Sequence, residues 1–430
     1  MTLNQLFFEL IQVALGVRAC LSHSPTAAEW QGLYETAKKQ SLVGICFAGV
    51  QKLCNSETSD YCGMNELQYL TWMGMAAKIQ QRNEVVNRQC VELQAKLSAD
   101  GLKSSILKGQ GVAALYRLHD DDNHNHDLSG LRQSGDIDVF VAEGMEKVLG
   151  YCTEMFGKVE WDYINAHAPF YTDTEVEMHW RAQAMTNLFA NKKLQEWFKS
   201  PMVQSSIFGR SAKLADGSEL VVPTAEFNAF YILLHCYHHM FESGLGLRQL
   251  MDYYFVLRDY KTKTIKTPEA AASVCVSENE CEHSSSASQT SATVFNGSEA
   301  SSGKKQKIQL STVEAIEQFG MKKFAEGVLW LIWHVFEGEN PDSFLVTPNS
   351  SFLTPNLKEG RFLLEEVMQN GNFGHHDERV KKVGSGKMQF LFGNVQHNLH
   401  LATHYPSEFF WAPIWLVYHY FWKRTNKNKI

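Results

Sequence analysis

The sequence has no uninterrupted apolar run long enough to cross a bilayer, so we expect no transmembrane anchor. Its first residues, MTLNQLFFELIQVALGV, lack the basic start of a signal peptide and place Glu9 inside the apolar run, which favours an amphipathic helix. The nine cysteines form no CxxC pair and no metal-ligand spacing. This pattern and the odd count indicate reduced thiols and a cytoplasmic location.

An excess of positive charge is also missing. The 40 lysines and arginines are outnumbered by 47 aspartates and glutamates, which gives a formal net charge of -7. A long nucleic acid usually binds a basic surface, so we expect no such partner.

The periodicity of apolar residues divides the chain into three regions. Residues 1–100 and 223–430 show helical spacing, whereas short strand-like runs fill 101–222. We therefore predict an α+β protein, with a small mixed β-sheet core flanked by an N-terminal helical region and a C-terminal helical domain. Within the last region, residues 261–308 are rich in Ser, Thr, Ala, Lys and Glu. Such a segment buries too little apolar surface to offset its ordering entropy, so a disordered insertion is predicted there.

The tail, residues 408–422, is crowded with aromatic residues and is followed by Lys423 and Arg424. Two interpretations are open. An aromatic helix with a basic end can lie on a membrane surface. Alternatively, the tail packs across the helical domain, and Pro413 together with the lack of a clean polar face favours this second interpretation.

Two aspartates stand where a turn becomes a strand, in the stretch RQSGDIDVFV at residues 132–141. Side chains alternate between the two faces of a strand, so Asp136 and Asp138 point the same way. Adjacent carboxylates repel each other, and a divalent cation turns this repulsion into attraction. Carboxylate oxygen is the ligand that Mg²⁺ prefers. Without further ligands, the same pair would fit a solvated edge strand.

Two further motifs flank this strand. A short strand at 104–107 breaks at KGQG, residues 108–111, and is followed by a helix at 112–117. That geometry points free backbone N–H groups at an anion, although glycines are also common at such turns for steric reasons. A later strand at 174–180 alternates so that Glu175, Glu177 and His179 share one face.

Taken in order, LKG (107–109), AALY (113–116), Arg132 with GDID (135–138) and EMHW (177–180) resemble the uncharacterised bacterial nucleotidyltransferases of the polymerase-β-like superfamily. His235, His239 and GLRQLMD (246–252) are also similar to them, and the resemblance covers 27–260 best. It implies that three carboxylates on adjacent strands hold two Mg²⁺ ions. These ions would bridge the triphosphate of an NTP and the attacking hydroxyl.

The resemblance also assigns roles to the carboxylates. Asp136 and Asp138 would be the first two metal ligands. Glu177 is preferred to Glu175 as the third, because the apolar Val176 and Met178 flank it as a central strand position requires. Glu177 would hold the second metal ion and help to take the proton from the acceptor hydroxyl.

The implied nucleotide site comprises five residues of the glycine turn and its surroundings. Lys108 and Arg132 would neutralise triphosphate charge, and Gly109 and Gly111 would let the backbone approach the phosphates. Gln110 occupies the position where active members of the superfamily carry serine. Two functions therefore stay open: Mg²⁺-dependent transfer of NMP from an NTP to a hydroxyl of an unknown acceptor (small molecule, protein or RNA), or a catalytically lapsed nucleotide-binding or regulatory protein. For Lys108 the alternative is that it pairs with an acid or covers apolar surface.

The histidines of the helical half have a spacing that can bind metal. His235, His238 and His239 lie at i, i+3 and i+4, which can ligate zinc. No partnering cysteine or acid is obvious, so packed and hydrogen-bonded histidines are the favoured interpretation.

Three residues are candidates for the acceptor side of the cleft. Arg248 and Asp252 lie one helical turn apart and most simply form an i, i+4 pair; alternatively, one of them faces the acceptor. His179 either lines the cleft, orients Glu177, or is a structural strand residue.

Overall fold

Four helices open the chain. The computed structural model describes residues 2–54, 62–119, 125–266, 311–338, 353–372 and 401–426. The first helices are α1 (Leu3–Ala14), α2 (Ala27–Lys39), α3 (Val43–Cys54) and α4 (Glu66–Ala99). Capping boxes fix where three of them begin, because Thr2, Thr26 and Asn65 each accept a hydrogen bond from the backbone of the third helical residue.

The middle of the chain contains all the strands that the structure describes. In chain order they and their helices are β1 (Ser104–Ile106), α5 (Gln110–Ala113), β2 (Arg117–His119), β3 (Asn125–Asp127), β4 (Ile137–Val141), α6 (Gly144–Phe156), β5 (Glu160–Trp161), β6 (Asn165–His167), β7 (Val176–His179), α7 (Leu188–Phe198), α8 (Pro201–Ile207), β8 (Arg210–Lys213) and β9 (Glu219–Val222). Strands β2 and β3 form one hairpin, and β8 and β9 form another.

The main sheet has the strand order β1-β4-β7-β6-β5. Its two central strands, β4 and β7, run parallel, and the other neighbouring pairs are antiparallel. One face packs against α4 and α6 through a core that includes Val139, Met178, Leu93 and Leu149. Because side chains alternate along a strand, the residues between these apolar ones face the opposite side. That opposite face carries the acidic motifs.

Helices follow the sheet in the chain. They are α9 (Ala225–Glu242), α10 (Leu247–Lys266), α11 (Thr312–Gln318), α12 (Lys322–Ile332), α13 (Leu357–Asn370) and α14 (Pro406–Asn426). Helices α9, α10 and α14 contribute side chains to the cleft over the acidic face. Apolar side chains of α9 to α13 share one large core with α1, α2 and α3. The amide of Gln12 on α1 donates to the carbonyl of Val335, just beyond α12, at 3.0 Å, so the first and last helical regions pack directly on each other.

The predicted fold class is confirmed: a mixed sheet lies between N-terminal and C-terminal helices. The predicted boundaries at 1–100, 101–222 and 223–430 stay a prediction. Helix α10 continues to Lys266, so the first six residues of the predicted insertion are helical. The rest of it, 267–308, lies outside the described residues.

Helix α14 packs against the edge of the sheet. Trp415 contacts Tyr163, and Trp422 contacts both Trp161 and Tyr163, in edge-to-face arrangements. The guanidinium of Arg181 lies 4.2 Å from the Tyr163 ring centroid. The tail thus packs on the β5 side of the sheet as well as on the helical domain. Within the described residues, no helix is both long and apolar enough to span a membrane.

Candidate active site

Two carboxylates meet at the centre of the sheet. Asp138 on β4 is directly opposite Glu177 on β7 in their parallel register. His179 lies two residues further along β7, on the same face. Its Nε2 is 3.0 Å from Oδ1 of Asp138 and 3.1 Å from Oε2 of Glu177. One ligand atom from each of the three side chains lies within 4.8 Å of the others.

Positive charge is held against both carboxylates. The ammonium group of Lys108 lies 2.9 Å from Asp138, whose side chain is only 1% exposed. Burial opposes a charge on His179, but its hydrogen bonds to Asp138 and Glu177 outweigh this and raise its pKa to about 9. Burial likewise opposes the charge on Glu177, yet His179 and Lys108 lower the pKa of Glu177 to about 2. Nδ1 of His179 faces the carbonyl of Arg181 at 3.3 Å, which suits a doubly protonated ring.

This arrangement fits a hard divalent cation. Carboxylate oxygens are the ligands that Mg²⁺ prefers, and the two acids are already placed to share a positive charge. Asp136 lies just before β4, half-buried in the same cleft as Asp138 and Glu177. A second group, His167, Glu175 and Glu177, has similar spacing at the more exposed edge of this cluster.

The glycine turn is only partly directed at the cleft. Gly109 lines it and has a φ of +58°, a conformation that favours glycine. Gln110 is buried, and its amide donates to Asn83 and Asn87 on α4. The side chain of Gln110 is thus bound to α4 on the far side of the turn, and a role of Gln110 in nucleotide binding stays a prediction.

Gly111 has a packing role, and its predicted role at the phosphates stays a prediction. A Cβ at this position would lie 2.9 Å from the carbonyl oxygen of Ile106 and 3.1 Å from Val222. Close packing of the turn on β1 and β9 thus requires glycine here. The predicted helix at 112–117 is a single turn, α5, and Arg117 already belongs to β2.

Arg132 is bound by Asp252 of α10. Its Nε lies 2.7 Å from Oδ1 and its Nη2 2.8 Å from Oδ2, and both residues are buried. The hydroxyl of Tyr116 donates to the same carboxylate at 2.6 Å. The predicted i, i+4 pair of Arg248 and Asp252 is thus wrong, because both carboxylate oxygens of Asp252 accept hydrogen bonds from Arg132. Arg248 donates to the carbonyl of Gln133 at 3.1 Å, so α10 holds the loop before Asp136 at two points.

Several polar atoms of side chains around the cleft have no hydrogen-bond partner among the described residues. They belong to buried side chains that line the cleft: Oη of Tyr231, Nδ1 of His235, Nε2 of Gln249 and Nη1 of Arg132. An unsatisfied buried polar group costs about 1–3 kcal/mol, so four of them around the cleft favour a polar ligand or water as their partner.

Sequence reasoning missed Tyr231, Gln249 and Asn165. Asn165 on β6 donates to Glu177 at 2.6 Å. The signal for Tyr231 was present, because it precedes His235 and His239 by one and two helical turns along one side of α9. His235 and His239 contact each other through their Nε2 atoms at 3.1 Å, and His238 pairs with Glu242. This agrees with packed, hydrogen-bonded histidines.

The cleft between the sheet and the helices has a volume of about 480 Å³. Gly109 and Lys108 lie at its β1 end. At the opposite end, next to β5 and β6, the wall is formed by Trp415, Leu416 and His419 of α14. His419 pairs there with Asp162. The carboxylates of Asp138 and Glu177 lie between the two ends, since β4 and β7 are central in the sheet.

A family model described as "Uncharacterised nucleotidyltransferase" matches residues 26–271, more than half of the chain. The match includes the glycine turn, β4, β7, α9 and all but the C-terminal wall of the cleft. No curated protein and no solved structure matches the chain.

Proposed function

The chain belongs to the uncharacterised nucleotidyltransferase family, and from this premise we propose that it transfers a nucleoside monophosphate from an NTP to a hydroxyl group of an acceptor in a Mg²⁺-dependent reaction. The observation that carries the proposal is the register of β4 and β7, which puts Asp138 and Glu177 side by side in the cleft. In our proposal this family shares the chemistry of the polymerase-β-like superfamily.

Asp136, Asp138 and Glu177 would hold two Mg²⁺ ions. When bound, the ions supply positive charge to the attacking hydroxyl and to the leaving pyrophosphate. Lys108 and His179 supply positive charge to the same carboxylates. The ammonium group of Lys108, adjacent to Gly109, would also contact the triphosphate.

The helical wall would supply phosphate contacts in place of Gln110. Hydrogen-bond donors without a partner among the described residues belong to Tyr231, Gln249 and Arg132, whose side chains line the cleft. Triphosphate oxygens are hydrogen-bond acceptors, so these donors would form hydrogen bonds with them. We assign the triphosphate to the space between Gly109 and this wall. The donors of the wall would take the place of the serine hydroxyl in the related enzymes.

The chain's own residues then orient the transfer. Asn165 and His179 hold the carboxylate of Glu177 in position through hydrogen bonds. Glu177 would accept the proton of the acceptor hydroxyl. If the triphosphate lies at the β1 end, the acceptor enters from the opposite end, between β6 and α14. Arg132 and Asp252 act as a fixed support for the loop that carries Asp136.

Incubation with each α-labelled NTP and Mg²⁺, with a cell extract as the source of acceptors, tests this proposal. We expect labelled product and free pyrophosphate with the wild type. Glu177→Gln should reduce the rate by about 100-fold or more, because it removes a metal ligand and the base. Glu175→Gln is the matched control: Glu175 precedes β7, is more exposed and contacts His167, so its rate should stay within about threefold.

Two outcomes would contradict the proposal. Equal turnover by the wild type and Glu177→Gln would show that the carboxylate pair is not catalytic. Tight NTP binding without pyrophosphate release, from every nucleotide and extract, would instead support a regulatory protein that binds nucleotide.

A further inference from the structure

Helix α14 has two apolar faces. The inner face packs against the protein through Trp411, Trp415, His419 and Trp422. The outer face consists of large apolar side chains that lie at helical spacing and are 41–61% exposed: Phe409, Phe410, Val417, Tyr420 and Phe421. Pro413 lies among them, and no charged or amide side chain interrupts the row.

This outer face is unusual for an exposed helix, which normally presents polar residues to water. Phe189 of α7, which contacts Trp411 edge-on, is a further exposed apolar side chain beside this helix and is 72% exposed. An exposed apolar surface of this kind generally marks a site of interaction. The absence of a clean polar face, which counts against a membrane helix in a sequence taken alone, has a different cause here: the inner face is covered by protein.

The charges of α14 indicate what covers its outer face. Lys423 and Arg424 are exposed at its end, directly after Phe421 and Trp422. Glu408 is the acid of this helix, and it is buried, where it accepts hydrogen bonds from Thr186 and Tyr237. The exposed surface of α14 is therefore apolar, aromatic and basic. Helices of this composition lie in the plane of a lipid interface, with basic residues near anionic head groups.

A second copy of the chain fits this surface less well. Two α14 helices packed antiparallel would place Lys423 and Arg424 beside the start of the other helix, where Glu408 is already bound on the inner face. Packed parallel, they would bring two basic ends together. In neither arrangement does Glu408, the acid of this helix, face the basic residues, whereas an anionic membrane offers them a partner. We propose that the outer face of α14 binds the surface of an anionic membrane. This proposal does not rest on nucleotidyl transfer.

Flotation of the full-length protein with lipid vesicles tests the proposal. We compare phosphatidylcholine vesicles with vesicles that also contain phosphatidylglycerol, and expect flotation with the second kind. The triple variant Phe410→Ser/Val417→Ser/Phe421→Ser should lose at least about tenfold in partitioning, since binding scales with buried apolar area. These three residues do not line the cleft. Lys423→Glu/Arg424→Glu should weaken binding to the anionic vesicles by about tenfold or more.

The control is an equal loss of exposed apolar side chains elsewhere, Leu67→Ser/Met73→Ser/Met155→Ser, which should float like the wild type. Circular dichroism checks that all variants are folded. The proposal is overturned if the wild type floats with neither kind of vesicle, or if the outer-face variant floats as well as the wild type. A wild-type dimer that vesicles do not capture and that the outer-face variant dissociates, as measured by light scattering, would identify a second copy instead.

Discussion

Glu177 lies directly opposite Asp138 across the parallel strands β4 and β7, whereas Glu175 precedes β7 and contacts His167. The two glutamates are only two residues apart and share a face, so sequence pattern barely separates them. Register does separate them, because only Glu177 has a buried aspartate beside it. This is the structural reason to assign Glu177, and not Glu175, to the central position among the proposed metal ligands.

Mg²⁺ should stabilise the folded protein. The ion would bind the carboxylates in the folded state alone, so at 100 times its Kd we expect the free energy of unfolding to rise by about 2.7 kcal/mol. Urea denaturation with Mg²⁺ and with EDTA measures this change. Asp138→Asn should abolish it, and Asp216→Asn, which alters an exposed hairpin carboxylate, should leave it unchanged. Equal Mg²⁺ stabilisation of wild type and Asp138→Asn would place the ion elsewhere.

Gln110→Ala should affect stability but not nucleotide binding. Its amide is bound to Asn83 and Asn87, so we expect a loss of about 1–2 kcal/mol in the free energy of unfolding. The Kd for an NTP, measured by calorimetry with Mg²⁺, should change less than about twofold. Lys108→Met should weaken the same binding by about tenfold. A large loss of nucleotide affinity in Gln110→Ala would show that Gln110 does contact the phosphates.

Tyr231→Phe should weaken nucleotide binding by about fivefold to tenfold, because one hydroxyl without a partner among the described residues is removed from the cleft wall. Tyr253→Phe is a matched control. Tyr253 is also fully buried and its hydroxyl also lacks a partner among the described residues, but it does not line the cleft. Calorimetric titration of both variants with an NTP should therefore give different results. Identical affinities of the two variants would show that the triphosphate does not contact Tyr231 on α9.

Asp252→Ala should strongly destabilise the protein. It leaves Arg132 buried without its counter-ion, at a cost of about 3–5 kcal/mol. Glu35→Gln removes the exposed pair with Lys38 and should change the free energy of unfolding by less than about 1 kcal/mol. Replacing both buried partners, as in Arg132→Met/Asp252→Leu, should recover most of the loss. Thermal and urea unfolding measure all three, and a mild effect of Asp252→Ala would show that water reaches Arg132.

The acidic motifs were predictable because strand alternation acts within a few residues. The pattern of 136–141 and of 174–180 is enough to place Asp138, Glu177 and His179 on strand faces. The family match agrees with the resemblance that those motifs suggested. The parallel pairing of β4 with β7 was not predictable in the same way, because it depends on two strands separated by more than 30 residues.

The partners of Arg132 and Gln110 illustrate what local pattern leaves out. Asp252 is 120 positions from Arg132, and nothing near either residue shows that they form a buried pair. Gln110 was assigned by analogy to a serine, but its longer side chain reaches Asn83 and Asn87 behind the turn. In α14, aromatic residues lie on both faces and obscure the helical periodicity of apolar residues in the sequence. The contacts with Trp161 and Tyr163 identify the inner face.

The far wall of the cleft comes from α14, which is synthesised long after the sheet. On the ribosome, the carboxylates of β4 and β7 consequently stay open to water until α14 has emerged and packed against Tyr163. A nascent chain that already holds every proposed metal ligand still has no enclosed compartment for an acceptor. The enclosed cleft thus forms only at a late stage of translation, after the C-terminal helix has been synthesised.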